Sequence, residues 1–368
     1  MKLRYKLLLG FAATLGIAIA ALAVTVSYTT DCEPVASTPA DPAHVQVIRY
    51  RCYGSPEVLE LAAIPKPVPG DDDVLVRVKA ASVNPLDWHY MRGSPYVMRL
   101  DSGIGAPKNE RLGADFAGVV EAVGQNVTGF SAGDAVFGIG RGSFGEYLTK
   151  HSSGSIAKIP PGATFADGAA IPIAGVTALQ ALRDHGKLEA GQRVLINGAS
   201  GGVGTYAVQI AKAWGAEVTG VCSERNRDMV LSLGADRVID YREANYTQED
   251  ERYDLIVDMI GNHPISANLD VLEPDGRLVI VGGEKGDWVG PLANMIKAPL
   301  VAPFIDQELI VMLAHPSGED LAVLADMMEK GQLVSVIDTT YSLSDVPDAI
   351  AYSETGRARG KIIVEVEE

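Results

Sequence analysis

The sequence predicts an α/β protein in which a doubly wound parallel sheet is joined to a compact, β-barrel-like domain. Three observations predict it. A glycine-rich turn lies between an apolar strand and an apolar helix. Four more apolar strand segments follow, several of them separated by helical sequence. The first half is β-rich and punctuated by glycine.

The turn is the most specific of these signals. Val194-Leu195-Ile196-Asn197 runs into Gly198-Ala199-Ser200-Gly201-Gly202-Val203-Gly204, then into Tyr206-Ala207-Val208-Gln209-Ile210-Ala211-Lys212. Glycines let the backbone turn tightly and approach a pyrophosphate, whose charge then sits at the positive N-terminus of the next helix. A glycine pattern alone is weak. The strand before it and the helix after it are what a dinucleotide-binding Rossmann unit requires.

The tip of the second strand chooses the dinucleotide. Sites that prefer NAD place an acid there, about 20 residues after the turn, to hold the ribose diol. Here Val218-Thr219-Gly220-Val221 ends in Cys222 and Ser223, and Arg225 and Arg227 follow. A hydroxyl with guanidinium groups suits a 2′-phosphate, so the cofactor expected is NADPH. Glu224 lies beyond the usual acid position.

Composition sets outer bounds. The 368 residues are 47% hydrophobic, enough for two packed cores. A net charge of −16 repels phosphate backbones and argues against nucleic acid as a partner. Cys32, Cys52 and Cys222 show no C-x-x-C spacing, so neither a zinc knuckle nor a disulfide framework is expected.

The amino terminus reads separately. Residues 7–30 carry no charge, Lys2, Arg4 and Lys6 precede them, and Asp31, Glu33 and Asp41 follow. About 20 apolar residues suffice to cross a bilayer. Two readings of residues 1–30 stand: a single-pass signal anchor, or a signal peptide cut after Ala21-Leu22-Ala23. The apolar run continues past that site and favours the anchor, with residues 31–43 as a linker. The leading basic residues predict an inside N-terminus and a translocated body, whereas NADPH is expected inside cells; the membrane side stays open.

The remaining elements follow in order. Strands are expected at 45–51, 74–78, 118–123, 135–138 and 145–149, with a proline-rich turn at 65–70. Helical sequence at 166–182 is broken at Pro172 and leads into the dinucleotide unit. Strands at 217–221, 237–240, 255–259 and 277–281 continue the parallel sheet. A helix at 321–330 and strands at 333–341 and 361–366 close the chain.

Several motifs carry a family resemblance. They are Ala81-Ser82-Val83-Asn84-Pro85-Leu86-Asp87, Gly113-Ala114-Asp115-Phe116-Ala117-Gly118, the glycine turn, Leu233-Gly234-Ala235-Asp236 and Val238-Ile239-Asp240-Tyr241. From about Val45 onward the chain resembles the zinc-free quinone oxidoreductase type of the medium-chain dehydrogenase/reductase family. It is particularly similar to the reticulon-interacting subgroup. The resemblance implies a GroES-like catalytic domain at 44–172, completed by 313–368, and a Rossmann domain at 173–312. It also implies a homodimer.

The resemblance implies site residues too. Ala199, Ser200, Gly201, Gly202 and Val203 would bind the pyrophosphate, with Gly204 closing the turn. Ser223 and Tyr241 would bind the adenosine phosphate end, beside Arg225. Thr177 and the run Val281-Gly282-Gly283 would approach the nicotinamide, and Ala358-Arg359-Gly360-Lys361 would return near the cofactor. Each has a plainer alternative: Tyr241 as a packed aromatic, Thr177 as a helix hydroxyl bonded to its own backbone.

Zinc is not expected. The zinc alcohol dehydrogenases of the superfamily have a ligand cysteine where this chain has Asn84, and Gly-His-Glu where it has Gly113-Ala114-Asp115. The six histidines form no ligand cluster in the sequence, and His89 reads as a satisfied histidine. Without a Lewis acid the acceptor must take hydride readily, as quinones and conjugated carbonyls do. The protein then holds the nicotinamide against the acceptor and donates a hydrogen bond to the developing oxyanion. Asn84, Tyr90 and Trp88 lie where the family lines its substrate cleft, and Asn84 and Tyr90 are the catalytic candidates. Asn84 shaping the turn before Pro85, Tyr90 packing in the core and Asp87 capping a helix are the structural alternatives. The function expected is NADPH-dependent reduction of a quinone or enone by a membrane-tethered enzyme. A cofactor-binding scaffold that serves a protein partner is the alternative.

Overall fold

The computed structural model describes residues 2–32, 43–283, 286–288, 290 and 293–366. The first half of the chain builds strands β1 (His44–Arg49), β2 (Glu60–Pro65), β3 (Asp73–Val83), β4 (Asp115–Val123), β5 (Ala135–Ile139), β6 (Tyr147–His151) and β7 (Ile156–Lys158). β1 and β2 form an antiparallel pair in register from His44 opposite Pro65 to Arg49 opposite Glu60. β2 went unforeseen, because its exposed and half-buried residues lack the apolar alternation that marks a strand.

The second half builds β8 (Arg193–Asn197), β9 (Glu217–Cys222), β10 (Arg237–Asp240), β11 (Tyr253–Asp258), β12 (Leu272–Ile280) and β13 (Glu308–Val311). They form a six-stranded sheet in the order β10-β9-β8-β11-β12-β13, parallel throughout. The order reverses between β8 and β11, and ligands of open α/β sheets bind at such a point, beyond the carboxyl ends of the strands. Asn197 and Asp258 end those two strands, and Asn197 Nδ2 donates to Asp258 Oδ1 at 2.8 Å.

β14 (Ile337–Ser342) and β15 (Lys361–Glu365) return to the first sheet, whose order is β14-β15-β3-β4-β5-β7, with β6 also on β3. The two sheets share one core. Ala80, Ala117 and Phe137 of the first pack with Val194, Ile196 and Val257 of the second. Between them runs the helix Pro172–Gln180, largely apolar and almost wholly buried. Pro172 stands in its first turn, where proline loses no hydrogen bond, so the expected break is the junction of two helices.

The membrane-spanning helix expected at residues 1–30 is not supported. The backbone is helical over Lys2–Ser27, but its side chains are described only from residue 14, residue 19 apart. Among the described residues no helix is long and apolar enough to cross a membrane. What is described is how this helix ends. Buried Arg99 donates through Nη1 to the carbonyls of Val26, Ser27 and Tyr28 at 3.2, 3.1 and 2.9 Å. These are carbonyls that a helix terminus leaves without partners. The guanidinium lies 4.5 Å from the ring centres of Tyr53 and Tyr96, a double cation–π contact.

Residues 33–42 of the expected linker lie outside the described residues, but its beginning is pinned. Thr30 N donates to Gly105 O at 2.9 Å, and Cys32 forms a disulfide with Cys52, their Cα atoms 5.3 Å apart. This corrects the cysteine reading. A pair separated by 20 positions carries no local signature, and only the docking of the segment brings the two together. Cys222 is buried and free.

Alkylation checks this pairing. Denatured without reductant, the chain takes up one alkyl group, on Cys222, and after reduction it takes up three. Three before reduction, read by mass spectrometry, would show that the bond does not form.

Candidate active site and cofactor cleft

The glycine turn is shaped by its own backbone. Gly198 takes φ +94°, a conformation open to glycine, and a Cβ on Gly204 would collide with the Gly198 carbonyl and with Ala199. Gly201 differs. A Cβ there would meet nothing nearer than the Gly198 oxygen at 3.5 Å, so the space above it is open. Gly201 is also the N-cap of the helix Gly202–Ala213, with no side chain capping it. The first N–H groups of that helix therefore face outward without a local acceptor, the arrangement that binds a phosphate.

A cavity of about 690 Å³ opens over this turn. Of the residues expected to bind cofactor, Ser200, Gly201, Ser223, Arg225 and Tyr241 line it. Ala199 is buried beneath, while Gly202, Val203 and Gly204 lead into the helix. Thr177 does not line this cavity, and its hydroxyl donates to Ile173 O at 2.7 Å, the plainer alternative. Gly282 and Gly283 lie outside it too, and a Cβ on Gly282 would collide with the Met259 carbonyl.

The structure redistributes the cations. Arg227 donates to Val238 O at 3.1 Å and pairs with Glu224 at 3.6 Å, so neither lines the cavity. Arg242 and Arg357 line it instead, with Arg225 Nη2 donating to Arg357 O at 2.6 Å. Asn226 reaches Ser200 Oγ through Nδ2 at 2.9 Å, and its Oδ1 is buried with no partner among the described residues. Three guanidinium groups and an orphaned amide oxygen around the strand tip fit a phosphorylated ribose. Arg242 had a sequence signal in its place beside Tyr241. Arg357 had none, since it arrives from the C-terminal segment.

On the other side of the core lies a buried polar network. Asp115 Oδ2 accepts from Ser82 Oγ at 3.1 Å and Asn84 Nδ2 at 2.9 Å, and Asp115 Oδ1 accepts from Ile173 N at 3.1 Å. Lys361 Nζ donates to Asn84 Oδ1 at 2.5 Å and sits 3.5 Å from Asp115 Oδ2. Asn84 is 2% exposed. Its amide is engaged with Asp115 and, at 3.4 Å, Ser82 O, and it faces this network. Burial pushes the Asp115 carboxyl up and the Lys361 ammonium down, while each opposes that shift in the other.

Tyr90 lines a second cavity of about 510 Å³, beside Tyr50, Leu86, Asp87 and Ile139. Burial first, then neighbouring Tyr53, push the Tyr50 phenol up, so it stays a donor at neutral pH. Asp87 accepts from Asn84 N at 2.7 Å at the start of the helix Pro85–Arg92. Complete burial pushes its carboxyl up to about 8. Trp88 packs against the apolar core of this domain.

The zinc of the superfamily does not fit these residues. Asp115, at the carboxylate end of the corresponding motif, is engaged by Ser82, Asn84, Ile173 and Lys361. His89 is turned to Ser94 O, with 2.6 Å from its Nδ1. Among the described residues no group of three His, Cys, Asp or Glu is placed to hold a metal.

Comparison with known proteins places the chain. Residues 70–161 match the alcohol dehydrogenase GroES-like domain, and residues 233–364 match the family described as zinc-binding dehydrogenase. Together these define a medium-chain dehydrogenase/reductase fold, a GroES-like sheet with a Rossmann-like one. The chain is 34% identical over 337 residues to the chloroplastic quinone-oxidoreductase QR1 of Triphysaria versicolor, covering 87% of this chain and 98% of that protein. It is 35% identical over 315 residues to the human quinone oxidoreductase, covering 83% and 92%. The quinone oxidoreductase of Coxiella burnetii superposes with a TM-score of 0.78 at 28% identity, over 88% of this chain and all of that one. The chain belongs to the medium-chain dehydrogenase/reductase family, within its quinone oxidoreductase type.

The Asp87 shift predicts a pH effect. Its folded pKa of about 8 lies above the ordinary 3.8, so from pH 4 to pH 8 the folded chain keeps a proton the unfolded chain has shed. Stability therefore falls as pH rises through that window. Asp87→Asn removes this contribution, up to about 1.4 kcal/mol per pH unit. Urea unfolding at several pH values tests it, and parallel slopes for the two proteins would refute it.

Proposed function

We propose that the chain is a zinc-independent oxidoreductase that takes hydride from NADPH and delivers it to a quinone or conjugated carbonyl. The observation that carries the reading is the cavity over the glycine turn, rimmed by Arg225, Arg242 and Arg357 with no acid at the strand tip. Quinone oxidoreductase relatives at about a third identity over most of the chain support it. So does a structural neighbour from Escherichia coli described in complex with NADPH, which at 23% identity speaks for the fold.

Reduced nicotinamide supplies the hydride. The turn at Ser200 and Gly201 holds the pyrophosphate, and Ser223, Arg225, Arg242 and Tyr241 hold the adenosine end. Tyr90, aided by the Tyr50 phenol, donates a hydrogen bond to the oxygen on which charge develops. Asn84 acts as a positioning residue that ties the substrate-side helix to Asp115 and Lys361. Residues 44–172 with 313–368 form the catalytic unit in this reading, and 173–312 the cofactor unit.

Purified protein is expected to oxidise NADPH when a quinone is supplied, with full rate retained in chelator. Replacing Arg225 and Arg242 together by Gln narrows the preference for NADPH over NADH by about tenfold or more, since each charge-assisted contact is worth about 1.5–3 kcal/mol. No turnover across a panel of quinones and enones would refute the activity.

We also propose, although no helix among the described residues is long and apolar enough to cross a membrane, that the uncharged N-terminal segment ties the protein to a membrane as a single-pass anchor. The uncharged stretch at 7–30 and the exposure of Leu15, Ile17, Leu22 and Val24 support this. The Cys32–Cys52 disulfide accords with a body on the oxidising side. The full chain is expected to float with vesicles at high salt and to lose flotation when Leu15 and Ile17 are changed to Lys. Recovery of the unaltered chain wholly in the soluble fraction would overturn it.

A further inference from the structure

The second cavity is basic in an acidic protein. Lys108, Arg111, Arg141 and Lys150 all line it, in a chain of net charge −16. Two carboxyls share the wall, Asp87 and Asp101. Asp87 holds its proton at neutral pH, as derived above, so Asp101 is the one anion facing four cations.

These cations are not used to build the fold in the usual way. Arg49, Lys66, Arg193, Lys212 and Arg237 each pair with a carboxylate, whereas among the described residues none of the four at the cavity does. Lys108 donates to the Asp101 carbonyl at 2.8 Å. Arg111 donates to the carbonyls of Gly142 and Tyr147 at 3.2 and 2.8 Å, and its Nε is buried with no partner among the described residues. Arg141 and Lys150 make no side-chain hydrogen bond or ion pair among the described residues; Arg141 acts on the Tyr50 phenol through its charge alone.

Holding the half-buried Arg111 and Lys150 charges without a carboxylate partner costs free energy through lost hydration. Burial alone lowers the Lys150 and Arg111 pKa values, the signature of charge held without compensation. An oxyanion entering the cavity would offset that cost and gain charge-assisted hydrogen bonds. Tyr90 and Tyr50 lie in the same cavity, so that anion and the reducible carbonyl belong to one molecule.

We propose that the acceptor reduced by this protein carries an oxyanion, a carboxylate, sulfonate or phosphate, held by Lys108, Arg111, Arg141 and Lys150 while its conjugated carbonyl faces Tyr90. The proposal rests on the reductase reading above and narrows its substrate class from neutral quinones to anionic conjugated carbonyls.

Two acceptors with the same ring decide it: a neutral naphthoquinone, and that ring bearing a propionate arm insulated by methylenes. Equilibrium dialysis with the full chain, with and without NADP⁺, measures binding without turnover. The propionate is expected to bind at least about tenfold more tightly, a preference that shrinks with added salt. Arg141→Gln and Lys150→Gln, chosen because neither side chain is bonded within the fold, each reduce that ratio several-fold. Equal binding of the two acceptors, or a preference that survives both substitutions, overturns the proposal. Hydride transfer is assayed in parallel. Its absence with both acceptors would sink the reductase reading, while dialysis still decides whether the cavity selects an anion.

Discussion

One carboxylate, that of Asp115, joins the parts on which catalysis in this fold depends. Fully buried in β4, it accepts from Ser82 of β3, from Asn84 at the start of the substrate-side helix, and from the Ile173 amide of the helix leading to the dinucleotide sheet. Lys361 of β15 faces it, and next to Lys361 the Gly360 amide donates to Ser200 O in the glycine turn at 2.9 Å. Both units thus meet around a single ion pair. Losing one partner of such a pair costs about 3–5 kcal/mol, because the other charge is left buried and uncompensated. The spacing between the helix Pro85–Arg92 and the glycine turn is therefore held stiffly, as transfer between two bound molecules in the proposed function requires.

The same network explains how these positions are used in place of metal chemistry. In the zinc enzymes of the superfamily the position of Asn84 carries a ligand cysteine. Here the Asn84 amide bridges Lys361 and Asp115, its oxygen accepting from one and its nitrogen donating to the other. The polar atoms of Asn84 and Asp115 are satisfied within this network, and under the proposed function activation of the carbonyl is left to phenols. That suits an acceptor whose conjugation already spreads incoming charge.

Charge is distributed to match. Much of the outer surface is laced with paired acids and bases, such as Arg237 with Glu249 or Lys330 with Asp326. Among the described residues, cations without a carboxylate partner line both cavities: Arg225, Arg242 and Arg357 at one, Lys108, Arg111, Arg141 and Lys150 at the other. An acidic body with two basic clefts repels nonspecific polyanions while attracting small anions to the clefts.

Much of this was legible in the chain. The strand, turn and helix around Gly198–Gly204 are local in sequence, and apolar periodicity marked most strands of both sheets to within a few residues. So was the absence of an acid after Val221. What sequence could not supply depends on segments far apart. β2 hid because its residues are only half-buried. Arg357 reaches the cavity over the glycine turn from the C-terminal segment, and Arg227, beside the right strand, turns to Val238 instead. Cys32 meets Cys52 because Arg99 and Gly105 dock the segment between them and the helix. Asn84 reads as a free donor in sequence and is spent on Asp115 in the fold, since only packing decides which polar atoms keep a hydrogen bond to offer. Local propensity and periodicity determine elements and turns; long-range packing decides which side chains face a cavity, and so what the cavity can bind.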